Sequence, residues 1–87
     1  MLDRAAVARQ LREYVCRELL RRPPESIGPY DRLVSGGYID SFGLAQLGLF
    51  IEEAFGVALD DADLARPEFD SLNEIADLVL QRGGAVR

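Results

Sequence analysis

Histidine, lysine and tryptophan are absent from the sequence, and cysteine occurs once, as Cys16. Without histidine there can be no Ser-His-Asp or Cys-His triad and no histidine-ligated zinc; without lysine there is no Schiff base. One cysteine cannot close an internal disulfide, which suits a reducing, cytoplasmic setting. The longest apolar run, Leu47 to Ile51, contains a glycine and is far too short to span a bilayer. The opening Met1-Leu2-Asp3-Arg4 has no apolar signal region, so no secretory signal is expected. A net charge of −5 argues against nucleic acid and against an anionic membrane surface. A small acidic chain with so little acid-base chemistry of its own is better suited to being handled by other proteins than to being an enzyme.

What is present describes an ordinary globular chain. Hydrophobic residues make up 48% and charged residues 29% of 87 positions, enough for one domain, residues 1–87, with a small core. Charge is uneven. Residues 1–22 hold six arginines against Asp3, Glu13 and Glu18. Residues 40–65 hold Asp40, Glu52, Glu53, Asp60, Asp61 and Asp63 with no basic residue.

Apolar periodicity predicts helices over about 3–21, 41–55, 61–65 and 71–82. Val7, Leu11, Val15 and Leu19 form the stripe of the first, with Cys16 at its edge as a partly buried hydrophobe. Pro23-Pro24 ends it. Residues 23–39 show no period and make a long connection, expected to be pinned onto the helices by Ile27, Tyr30, Leu33, Val34 and Tyr38. Leu44, Leu47, Ile51 and Phe55 form the core stripe of the second helix. Its extra apolar residues, Phe42, Leu49 and Phe50, predict burial over a broad arc, and Gly56 closes it. Glu52 and Glu53 near its end oppose the helix dipole, so a partner rather than local stability explains them. With no confident strand, the expected fold is all-α: a small four-helix bundle with three longer helices, one short helix and a long first loop.

Asp-Ser occurs twice. Ser71-Leu72-Asn73-Glu74 is a complete capping box, which gives Ser71 a structural role. Ser41 has Leu44 three residues on and lacks that box. It follows the Gly36-Gly37 loop and opens a helix, where unpaired N–H groups and the positive dipole end tolerate a phosphate ester. Asp40 or Ser41 acting simply as an N-cap is the competing reading. Asp60-Asp61-Ala62-Asp63 lacks the glycine and distal glutamate of a calcium loop, so no metal is expected.

Gly37-Tyr38-Ile39-Asp40-Ser41-Phe42, then Phe50-Ile51-Glu52-Glu53-Ala54-Phe55-Gly56-Val57, then Phe69-Asp70-Ser71-Leu72-Asn73-Glu74-Ile75-Ala76, resembles the acyl carrier protein family over roughly residues 5–82. The resemblance implies that Ser41 is esterified by 4′-phosphopantetheine from coenzyme A. A phosphopantetheinyl transferase would attach it, a ligase or adenylating enzyme would load acyl or aminoacyl groups as thioesters, and acyl-processing enzymes would receive them. It also implies partner contacts at Asp40 and Phe42 and an acidic recognition surface of Glu52, Glu53, Asp60, Asp61 and Asp63. No residue would be catalytic. Phe42 stands where leucine or methionine is commoner, and Tyr38-Ile39 where many fatty-acid carriers have one residue. Gly48 interrupts a helix at a cost of about 1 kcal/mol against alanine. Ala45 and Gly48 suit close helix packing rather than a slot for cargo. The extended Gly-x-x-Asp-Ser-Phe form looks like free-standing carriers of small acyl or aminoacyl groups in specialised metabolism. A non-covalent helical adaptor that docks a basic partner through the acidic second helix is the alternative.

Overall fold

The computed structural model describes residues 3–66 and 69–83. Helix α1 runs from Arg4 to Tyr14, capped by Asp3, whose Oδ1 accepts the Ala6 N–H at 2.9 Å. The chain then widens into a π-helical segment, Val15–Leu20, and leaves it through Arg21 in the left-handed region. A 3-10 turn covers Pro24–Ser26. Helix α2 is Ser41–Phe55, α3 is Asp61–Leu64 and α4 is Leu72–Gln81. No strand occurs among the described residues, and none of their helices is long and apolar enough to cross a membrane.

The core gathers one face from each long helix. Val7, Leu11 and Val15 meet Leu47, Ile51 and Phe55 of α2 and Leu72, Ile75 and Val79 of α4. Helix α1 lies closest to α4. It meets α2 through Tyr14, whose ring stacks on Phe50 at 4.2 Å and whose hydroxyl donates to the Gln46 carbonyl at 3.4 Å.

Three expectations need correction. Cys16 is fully buried while Leu19 is only half-buried, because the π-helical turns rotate less per residue and bring a new face to the core. The thiol donates weakly to the Pro24 carbonyl at 3.6 Å, and burial pushes its pKa up. Helix α2 is not buried over a broad arc. Phe42 is 72% and Leu49 62% exposed, and of the three extra apolar residues only Phe50 packs inward. In the connection, Ile27, Leu33 and Ile39 are the buried anchors, whereas Tyr30 and Val34 face solvent.

That connection is strapped to the start of α4. Leu33 N–H donates to the Asp70 carbonyl at 2.7 Å, and Asn73 N–H to the Pro29 carbonyl at 3.0 Å. The Asp70 carboxylate accepts from Val34 N–H at 2.7 Å, Ser35 N–H at 3.2 Å and Ser35 Oγ at 2.6 Å. Burial opposes the charge of Asp70, but these hydrogen bonds outweigh it and hold its pKa below the usual value. Arg32 adds a 2.8 Å ion pair to Glu74. A loop tied at so many points holds the residues that follow it, Ile39 to Ser41, in a fixed position.

Candidate functional site

The two Asp-Ser pairs have different environments. Ser71 is the N-cap of α4, only 1% exposed, and its Oγ accepts the Glu74 N–H at 3.3 Å. The expected return bond from Glu74 to the cap's backbone is replaced by a side-chain bond. Ser71 Oγ donates to Glu74 Oε1 at 2.8 Å, and the same oxygen accepts from Arg32. Glu74 is thus committed to holding the loop.

At α2 the cap is Asp40. Its Oδ1 accepts the Gly43 N–H at 2.9 Å, and its carbonyl accepts from Leu44 N–H. Ser41 is therefore the first helical residue, exposed, and its hydroxyl forms no hydrogen bond among the described residues. Gly37, at φ +83°, turns the chain before the helix. Gly36 leaves no room for a side chain, because a Cβ there would run into the Arg32 carbonyl oxygen.

An open cleft of about 880 Å³ runs from Ser41 between the end of the π-helical segment and the start of α2. Tyr38, Asp40, Gln46, Glu18 and Arg21 line it. Sequence reasoning gave no role to Arg21. The signal available was a basic residue between a helix end and Pro23, which does not say which way the side chain points.

The acidic residues divide. Asp40, Glu52, Glu53 and Asp60 are exposed. Asp60 caps α3, its Oδ1 accepting Asp63 N–H at 2.8 Å. Asp63 is half-buried and doubly bonded to Arg82, at 2.5 and 3.2 Å, which pushes its pKa down to about 2. The surroundings of the Asp61 side chain lie outside what is described. Gly48 faces α3: a Cβ there would meet Leu64 Cδ2 at 3.2 Å, so this glycine serves close packing. Ala45 is exposed.

The helical bundle thus holds an exposed hydroxyl at a helix start, beside a cleft and a loop tied down by hydrogen bonds. The model of the phosphopantetheine attachment site family matches residues 9–79, and the chain belongs to that family. It is a phosphopantetheine-carrying carrier protein, and its prosthetic group is 4′-phosphopantetheine. Such a carrier interacts with enzymes that modify it and process what it carries. No curated protein and no solved structure matches the chain. The residues around Ser41 fit the group. The first-turn N–H groups of Ser41 and Phe42 are not consumed by the Asp40 cap, and the cleft gives the arm room to lie on the surface.

Proposed function

We propose that Ser41 is the attachment point. The arm would hold acyl or aminoacyl intermediates as thioesters and present them to partner enzymes of specialised metabolism in the cytoplasm. The observation that carries this reading is the division of labour at the start of α2. Asp40 supplies the cap, so the neighbouring hydroxyl is exposed and has no structural duty. The phosphodiester forms when Ser41 Oγ bonds to the phosphate of coenzyme A that carries pantetheine and the adenosine bisphosphate leaves. The neighbouring Asp40 carboxylate is engaged with the Gly43 N–H as the cap, so the transferase supplies the base that takes the hydroxyl proton. When bound, the group supplies a terminal thiol. The carrier's own residues orient and expose it and take no catalytic part.

Asp40, Phe42, Glu52, Glu53 and Asp60 form the partner surface, with the acids speeding encounter with basic partners and exposed Phe42 offering an apolar contact. Asp61 belongs to it by sequence. Asp63 is already matched by Arg82 and contributes less to it.

Incubation with coenzyme A, magnesium and a phosphopantetheinyl transferase should add the mass of one phosphopantetheine. Ser41→Ala should block the addition and Ser71→Ala should not. The single buried thiol gives a second readout: folded apo protein should not react quickly with a thiol reagent, and loaded protein should react once. An unchanged mass, under conditions that load a control carrier, would favour the non-covalent adaptor.

A further inference from the structure

Arg21 is out of place by the rules of local structure. It sits at φ 55°, ψ 48°, as the residue that ends the π-helical segment, and is the single non-glycine residue with positive φ among those described. Glycine is the usual occupant of such a position, because an L side chain there is strained. No internal contact accounts for the arginine. Its guanidinium has no ion pair or hydrogen bond among the described residues, unlike Arg4, Arg32 and Arg82, each of which meets a carboxylate.

What its position does is bring a cation to the cleft that opens at Ser41. Among the described residues it is the one basic residue lining that cleft, and the other charged residues lining it are Glu18 and Asp40. A phosphodiester at Ser41 would lie beside the Asp40 carboxylate, and like charges at close range repel. A guanidinium matches a phosphate through paired N–H donors and keeps its charge at every working pH.

We infer that Arg21 is the positioning residue for the phosphodiester of the arm: it pairs with the phosphate, offsets Asp40, and draws the arm back into the cleft between the end of the first helical stretch and the start of α2. This rests on attachment at Ser41. The neighbouring Arg22 is exposed, does not line the cleft, and serves as the internal control.

The test uses the full chain, loaded with coenzyme A by a phosphopantetheinyl transferase and followed by intact mass and by nitrogen and phosphorus NMR. On loading, the Arg21 side-chain Nε–Hε resonance should move and that of Arg22 should stay. The phosphorus resonance of loaded Arg21→Gln should differ from wild type, and that of loaded Arg22→Gln should not. Arg21→Gly, which relieves the left-handed backbone, should keep the fold and lose the same phosphorus shift. A stationary Arg21 resonance in loaded wild type overturns the inference, and so do superimposable phosphorus spectra of wild type and the Arg21 variants. If the variants do not load, the wild-type Arg21 resonance alone decides. Failure of wild type to gain mass is a different result, because it removes the attachment itself and leaves no phosphate for Arg21 to meet.

Discussion

At the scale of single residues, the two serines separate stability from function. Ser71 is buried and holds both the Glu74 amide and the Glu74 carboxylate, so Ser71→Ala should cost about 1–2 kcal/mol in thermal or urea unfolding while loading still proceeds. The Ser41 hydroxyl forms no hydrogen bond among the described residues, so Ser41→Ala should leave stability within about 0.5 kcal/mol while abolishing loading. A large loss of stability in Ser41→Ala would mean the hydroxyl has a structural role after all. The difference was legible in the sequence through one residue. Glu74 completes a box after Ser71, and Leu44 cannot do so after Ser41. That Asp40 takes the cap and frees Ser41 was not legible, because aspartate and serine cap equally well.

At the scale of elements, α2 offers two leucines two positions apart with opposite environments. Leu47 is fully buried and Leu49 is 62% exposed. Leu47→Ala should destabilise by roughly 2–4 kcal/mol, a large share for so small a core, whereas Leu49→Ala should fall within about 0.5 kcal/mol. Circular dichroism melts of the pair check the assignment of faces, and equal effects would contradict it. The core stripe Leu47, Ile51, Phe55 was readable from its period. The outward Phe42 and Leu49 were not, because a count of apolar residues does not say what covers them. The π-helical turns after Tyr14 were also hidden, since no residue type in Val15–Leu20 signals a change of helical pitch. Cys16 consequently lies deeper than its place on a regular helix suggested.

At the scale of the whole molecule, one carboxylate makes three of the bonds that strap the long connection, and this contributes to how the fold responds to acid. Asp70 takes three hydrogen bonds from Val34 and Ser35, and its backbone takes a fourth from Leu33. The second Asp-Ser pair was visible in the sequence, yet its aspartate reaches a loop some 35 residues earlier, and no local pattern encodes that reach. Because the folded pKa of Asp70 is depressed, its stabilisation is full above the unfolded carboxylate value of about 4 and is lost as pH falls through the folded value. Asp63, bonded to Arg82 and held at about 2, changes in the same direction, but its partner Arg82 reaches it from the solvent side and the pair adds little. Asp70→Asn keeps the size of the side chain, removes the charge, and gives up charge-assisted bonds. It should cost about 2 kcal/mol near pH 7. It should also respond less steeply than wild type as pH drops below about 4. Ten arginines repel one another in both proteins at low pH, so the difference between the two curves, rather than either curve, isolates Asp70. Urea unfolding of both proteins at pH 7, 4 and 3 measures it. Curves that stay parallel across that range would show that the carboxylate's charge is not what straps the loop, and that the backbone bonds of Leu33 and Asn73 hold it instead.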